Sequence, residues 1–208
     1  PIRSSAATLC ALLTGCGGGN APADGGASEL IRAYWSLNEV SADAAKCAWN
    51  GDAWVAAVNT NTWSEADNDA AYAVYVRTVQ GISFANEFLR QTQDLSALTS
   101  ENAKIVESYR AEARFLRAYY YWIDMDCFGA VPFTTEESPV GIEGPVQKSR
   151  TDIFNWIVGE LKDLVSSGSA MPEARSNYPR ADKGSVWGLL ARIYLNAEVY
   201  TGTAMWNE

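Results

Sequence analysis

Three tryptophans alternate with residues that carry amide or carboxylate groups in positions 46–63, which read K-C-A-W-N-G-D-A-W-V-A-A-V-N-T-N-T-W. A sugar ring has apolar C–H faces and a polar rim. It can therefore stack on an indole while its hydroxyls hydrogen-bond to amides and carboxylates. The pattern indicates a surface whose chemistry suits a carbohydrate. The candidate ligand-binding residues in this segment are Trp49, Asn50, Asp52, Trp54, Asn61 and Trp63.

The same tryptophans also have a purely structural interpretation, which the sequence leaves open. Trp54 and Trp63 could each anchor the segment against the core of the protein. Trp49 precedes the turn sequence N-G-D, so we expect its side chain to be exposed. Trp35 lies in a helical pattern, and we expect it to be buried.

The composition excludes several classes of function. The net charge is −9, which disfavours a nucleic-acid partner because phosphates require a basic surface. There is no histidine, so the commonest general base and metal ligand is missing. The four cysteines lack C-x-x-C spacing, and we expect neither a metal site nor a cofactor. Cys127 lies on an apolar helical stripe, whereas a disulfide from Cys47 to another cysteine stays open.

The acidic residues do not form an obvious catalytic pair. Asp124 and Asp126 are two positions apart in a helical pattern, so their side chains point in different directions. Since their negative charge opposes the helix dipole there, we expect neighbouring donors to hold them. Glu112 and Arg114 are assigned to a solvated helix face. A glycosidase would need two converging carboxylates, and we therefore expect a protein without enzymatic activity.

Apolar residues recur at steps of three and four along most of the chain, which predicts helices. One helix follows Asp69, a long buried one runs over residues 101–128, one begins after Ser149, and one begins after Asp182. The segment W-G-L-L-A-R-I-Y at residues 187–194 resembles the first helix of a tetratricopeptide repeat, in which Trp187 would contact a neighbouring helix. The predicted fold is all-α, with tetratricopeptide-like helical hairpins and irregular connecting loops.

The first residues contain a pattern with two interpretations. A short apolar run ends in L-T-G-C at Cys16, which resembles a bacterial lipobox whose cysteine is acylated. Alternatively, the match is a coincidence within a chain that begins inside the fold, and Cys16 is an ordinary thiol. Because residues 15–26 are rich in glycine and alanine, we expect residues 1–28 to form a flexible segment.

Four segments together resemble the SusD/RagB family of outer-membrane nutrient-binding lipoproteins. They occur here in the order that the family has them, and the strongest is the tyrosine-rich helix with its Gly-x-x-Pro end. The four segments are R-A-Y-W-S-L-N-E-V-S-A-D at 32–43, G-I-S-F-A-N-E-F-L-R-Q-T at 81–92, E-A-R-F-L-R-A-Y-Y-Y-W-I-D-M-D-C-F-G-A-V-P at 112–132 and K-G-S-V-W-G-L-L-A-R-I-Y-L-N at 183–196.

The resemblance implies a function and a location. Proteins of this family are lipid-anchored at the cell surface in the outer membrane. They bind oligosaccharides, or sometimes peptides, and deliver them to a SusC-like TonB-dependent transporter without catalysis. The resemblance adds Asp43 to the candidate ligand-binding residues, and it implies that residues 29–208 are a helical domain incomplete at its C-terminus. The alternative functions are a tetratricopeptide-like interaction scaffold and a peptide-capture protein.

Overall fold

The structure is a computed structural model that describes residues 30–49, 51–64, 69–141, 144–176 and 178–208. The candidate residues Cys16 and Asn50 and the predicted flexible segment 1–28 lie outside these ranges. The chain divides into two compact units. We call the described part of residues 30–80 the N-terminal unit and Gly81–Glu208 the C-terminal unit.

The architecture is all-α with helical hairpins, as the sequence predicts. In the N-terminal unit, α1 (Leu30–Trp35) continues into a π-helical segment (Ser36–Val40), followed by α2 (Ala53–Thr60) and the start of α3 (Asp69–Gln91). The helices of the C-terminal unit after α3 are α4 (Ser100–Phe128), α5 (Arg150–Leu164), α6 (Lys183–Leu195) and α7 (Ala197–Thr201). Two short antiparallel strands join α4 to α5, namely β1 (Val131–Pro132) and β2 (Gln147–Lys148).

Local capping signals set the helix ends of the C-terminal unit. The side chains of Thr99, Ser149 and Asp182 accept a hydrogen bond from a backbone N–H in the first turn of α4, α5 and α6, respectively. Asp182 forms a capping box with Ser185. The long α4 ends at Gly129, whose φ of 78° is a conformation that side chains with a Cβ rarely adopt.

The core of the C-terminal unit forms around α4, which packs along α5. A helix that is apolar on most sides must be covered by its neighbours. Close packing also explains Gly81 in α3, because a Cβ at this position would overlap the ring of Tyr120. Near the end of α4, the rings of Tyr121, Phe133 and Trp156 pack with centroids 5.0–5.2 Å apart, with Trp156 edge-to-face against the other two.

The assignment of Glu112 to a solvated face is wrong. Its side chain is fully buried in α4, where Arg180 donates from Nε to both carboxylate oxygens at 3.0 Å. Burial raises the pKa of Glu112 above its usual value, although the charge and hydrogen bonds of Arg180 act in the opposite direction. Arg114 is partly exposed and pairs with Glu160 and Asp163 on α5. The error arises because the partner of Glu112 is 68 residues away along the chain.

Two tryptophans, of which Trp35 was expected in the core, are more exposed than the sequence indicates. Trp35 is 50 % exposed, because α1 and the following π-helical segment bury the stripe Ala33, Ser36 and Val40 instead. Trp187 is 51 % exposed, and it lies beside the stripe that α6 buries, which consists of Val186, Leu189, Leu190 and Ile193. Each helix buries its regular i, i+3, i+7 face, and the tryptophan falls outside that face.

A buried guanidinium joins three parts of the C-terminal unit. Arg117 on α4 is 2 % exposed, and its Nη1 donates to the side-chain oxygen of Asn86 on α3 at 2.8 Å and to the Glu136 carboxylate. Its Nη2 contacts Glu160 on α5 at 3.2 Å, and its guanidinium lies over the ring of Trp156. The connector after β1 is thereby attached to the helices, since Glu136 belongs to it.

Replacing this guanidinium should destabilise the protein strongly. In Arg117→Met, the half-buried carboxylate of Glu136 loses its counterion and Glu160 keeps only Arg114, and breaking a buried pair costs about 3–5 kcal/mol. The free energy of unfolding from urea titrations followed by circular dichroism checks this. Lys162→Met is the matched control, because its pair with Glu208 is solvent-exposed and should contribute little. Equal stability of the two variants would contradict the assigned role.

The Glu136 carboxylate should make stability sensitive to acid. Burial raises its pKa, but the hydrogen bond and charge of Arg117 outweigh burial and hold the pKa below its usual value. A carboxyl with a lowered pKa stabilises the fold above its unfolded pKa of about 4.3, and this contribution is lost as the pH falls further. The difference in the free energy of unfolding between wild type and Glu136→Gln should therefore decrease as the pH is lowered from 7 to 3.5. The exposed neighbour Glu137→Gln should show no such change in urea titrations.

Candidate functional site

The segment that carries most of the candidate residues is more ordered than the sequence indicates. The family resemblance implies irregular loops over residues 46–63, but α2 occupies their centre and buries Trp54, Val55, Ala57 and Val58. Trp54 is only 4 % exposed, and its indole N–H is buried without a hydrogen-bond partner among the described residues. In this conformation Trp54 packs as an anchor and does not present its ring to solvent.

Two asparagines at the end of α2 fix the preceding loop. The amide of Asn59 accepts from the backbone N–H of Cys47 at 3.1 Å and donates to its carbonyl at 2.8 Å. Asn61, with a left-handed φ of 54°, donates from its side-chain amide to the carbonyl of Ser41 at 3.0 Å. Asparagine tolerates this backbone conformation better than most residues. Both amides therefore hold backbone in place, and the amino group of Asn61 is already engaged.

These bonds bring three candidate side chains to the end of α2. Asp43 follows Ser41 by two residues, Trp49 follows Cys47 by two, and Trp63 follows Asn61 by two. Asp43 is exposed and has a left-handed φ of 59°. Trp49 is 58 % exposed and Trp63 is 48 % exposed. Two indoles and a carboxylate are thus presented to solvent from backbone segments that α2 holds together.

The sequence patterns did not identify Arg32 as part of this site. Its guanidinium carbon lies 4.7 Å from the centroid of the Trp49 ring, which is a cation–π contact. Arg32 is on α1, just before the π-helical segment, and its carbonyl accepts from the hydroxyl of Ser36 at 2.9 Å. Single π-helical turns occur frequently at functional sites. No pattern in the sequence pairs Arg32 with Trp49, because they are 17 positions apart and on different elements.

The remaining candidate is Asp52, which precedes α2. Its backbone is extended, with φ at −106°, and its side chain makes no capping hydrogen bond to the helix. The carboxylate is partly exposed, so it is available to a ligand at the start of α2. Asp52 is therefore at the opposite end of α2 from Asn61.

The buried polar groups of α4 are structural. As expected, Asp126 is held by a neighbouring donor, because the Tyr200 hydroxyl donates to it at 2.8 Å. Cys47 and Cys127 are free thiols. Burial, together with the charges of Asp126 and Asp124, raises the pKa of Cys127 to about 12, so this thiol stays protonated and unreactive at neutral pH.

Two features are absent from the residues that the structure describes. No group of three or more histidine, cysteine or acidic side chains in this part of the chain is placed to hold a metal ion. Within the same ranges, each helix is too short or too polar to cross a membrane.

Known proteins resemble this chain in sequence. Residues 26–195 match a SusD-like family described as starch-binding and associating with the outer membrane. The starch-binding protein SusD of Bacteroides thetaiotaomicron is 36 % identical over 180 residues, which are 86 % of this chain and 30 % of that protein. The chain thus spans less than a third of the length of this curated relative.

Solved structures share the fold. A laminarin-binding SusD-like protein superimposes with a TM-score of 0.70 at 19 % identity, over 95 % of this chain and 40 % of that one. Surface glycan-binding protein A from Bacteroides uniformis gives 0.65 at 17 % identity, over 96 % and 43 %. A SusD-like carbohydrate-binding protein from Bacteroides fragilis gives 0.64 at 21 % identity, over 96 % and 38 %. Because the family match covers most of the sequence and both of its units, the chain belongs to the SusD-like family.

Proposed function

We propose that the chain binds oligosaccharides at the end of α2, with Trp49 as the main stacking surface. The observation that carries the proposal is the exposed indole of Trp49. The loop that presents it is fixed by Asn59, whose side chain hydrogen-bonds to both the backbone N–H and the carbonyl of Cys47. A rigid aromatic surface loses little conformational entropy when a ligand stacks on it. Trp63 and Asp43 provide a second indole and a carboxylate that can accept hydrogen bonds from sugar hydroxyls, and Asp52 offers a further carboxylate at the start of α2.

The family supports a carbohydrate ligand. Its description is starch-binding, the curated relative is named a starch-binding protein, and the solved relatives are named for laminarin or glycan binding. Residues 26–195, which match the family, include the whole candidate site. A glycan is thus the ligand class that the site chemistry and the relatives have in common.

We place the protein at the cell surface, as a lipoprotein of the outer membrane that delivers its ligand to a SusC-like TonB-dependent transporter. The family's description as associating with the outer membrane supports this location. Cys16 stays the proposed lipidation site. The protein is proposed to act without catalysis, and three of its buried or half-buried carboxylates, Glu112, Glu136 and Glu160, are each neutralised by an arginine. Such pairs stabilise structure and are poor general acids.

A scaffold that binds proteins is the second candidate. It is favoured by the exposed apolar residues Trp187 and Leu195, which are eight positions apart and lie on one face of α6. A tetratricopeptide-like protein can bind a partner helix or peptide through such a face.

Truncating the stacking surface should weaken glycan binding. A stacked aromatic contributes roughly 1 kcal/mol in addition to its buried area, so Trp49→Ala should reduce affinity by about tenfold or more. Isothermal titration calorimetry against starch, laminarin and host-glycan oligosaccharides measures this. Trp206→Ala is the control, because Trp206 is also highly exposed (68 %) but lies in the C-terminal unit. It should bind as wild type does.

Two results would count against the proposal. If Trp49→Ala and Trp206→Ala bind a glycan equally well, the site is elsewhere. If wild type binds no glycan but binds peptides, and Trp187→Ala abolishes this, the scaffold function replaces glycan capture.

Loosening the loop should also weaken binding, without removing any stacking group. Asn59→Ala deletes both hydrogen bonds to Cys47, so Trp49 would lose its fixed position. We expect a several-fold loss of affinity and faster amide hydrogen exchange at Cys47. Thr60→Ala is the control, because its hydroxyl bonds to the α2 carbonyl of Ala56 and not to the loop. Unchanged exchange in Asn59→Ala would show that these bonds do not order the loop.

A further inference from the structure

We infer that the oligosaccharide recognised at Trp49 carries a negative charge on a unit next to the stacked sugar, and that Arg32 binds this charge. This inference rests on the proposed function, and it specifies the ligand as an acidic oligosaccharide, bearing a carboxylate or a sulfate. It rests on the juxtaposition of a guanidinium and an exposed indole within one unit of the protein.

The first step concerns the two faces of the indole. The Arg32 guanidinium lies 4.7 Å from the ring centroid and covers one face of Trp49. The side chain of Trp49 is nevertheless 58 % exposed, so the ring has open surface for a ligand. A sugar stacked on the opposite face lies roughly 8 Å from the guanidinium across the ring, so an anionic group on the adjoining sugar unit reaches Arg32 around the edge of the indole.

The second step concerns what Arg32 has available. A cation–π contact uses the face of the guanidinium and leaves its five N–H donors at the edge. Among the residues that the structure describes, no carboxylate lies within ion-pair distance of Arg32. In the C-terminal unit, by contrast, Arg114, Arg117 and Arg180 are each neutralised by a carboxylate.

The third step concerns the chemistry that fits. An arginine fork matches carboxylate and sulfate oxygens with two parallel hydrogen bonds, which are stronger than bonds to neutral hydroxyls. A neutral sugar offers this site only hydroxyl oxygens. The carboxylates of Asp43 and Asp52 are compatible with an acidic ligand, because they can accept hydrogen bonds from the hydroxyls of uronic acids as well as from those of neutral sugars.

The test compares ligands that differ only in charge. Glucose tetrasaccharides with α-1,4, β-1,4 and β-1,3 linkages are titrated into the 208-residue chain beside their C6-oxidised forms and their 6-O-sulfated forms. We expect at least one acidic member to bind about tenfold more tightly than its neutral parent, with the difference shrinking as NaCl is raised. The carboxylate and sulfate series show which anion is preferred.

Two variants separate charge from packing. Arg32→Met keeps an unbranched apolar side chain against Trp49 but removes the charge, so it should lose the preference for the acidic ligand and retain affinity for the neutral one. Arg77→Met, a variant of another arginine in the same unit, should retain the preference. Thermal unfolding of each variant establishes that it is folded.

The outcomes distinguish this inference from the proposed function. Equal affinity for acidic and neutral members would overturn the inference and leave glycan binding intact. A preference for the acidic ligand that persists in Arg32→Met would also overturn the inference, because another residue would then bind the negative charge. Absence of binding to every member would overturn the proposed function and this inference together.

Discussion

The C-terminal unit depends on a buried positive charge that a residue of α4 carries. Arg117 lies at the centre of α4, and desolvating a guanidinium is costly unless every side of it is neutralised or hydrogen-bonded. Glu136, Glu160 and Asn86, each from a different element, partner both terminal nitrogens, whereas Nε is buried without a hydrogen-bond partner among the described residues. The charge therefore fixes α3, α5 and the connector after β1 against one point of α4, which apolar contacts alone specify less uniquely.

In the N-terminal unit, some polar and aromatic side chains hold the loop in place, and others remain exposed to solvent. Asn59 and Asn61 use their side-chain amides to hold the loop backbone. The composition of the segment had suggested that its polar and aromatic residues contact a ligand. The tryptophans divide similarly, since Trp54 is buried in α2 whereas Trp49 and Trp63 remain exposed. A loop whose own polar groups are satisfied can keep an indole exposed in one position. Such preorganisation reduces the entropy cost of binding.

The sequence predicts those features that local chemistry determines. Asp182 and Ser149 cap their helices through the residue three positions later, and Gly129 ends α4 by its own backbone preference. A few neighbouring residues were therefore enough to predict these helix ends. Glu112 and Arg32 were misassigned or overlooked because their partners are distant in the chain. Periodicity identified helices correctly, whereas the helix contact expected of Trp187 came from the tetratricopeptide resemblance, and this side chain is 51 % exposed.

Stacking and charge have different consequences for specificity at this site. An indole stacks on the apolar face of almost any pyranose, so Trp49 alone would bind glucans and acidic glycans with similar strength. Arg32 adds a directional interaction that a neutral ligand cannot fully use, and leaving its donors unpaired on binding costs affinity. Since α1 positions Arg32 and the loop positions Trp49, substitution of one arginine can change the ligand without altering the fold. A shared architecture with laminarin-binding and glycan-binding relatives is therefore compatible with recognition of a differently charged sugar.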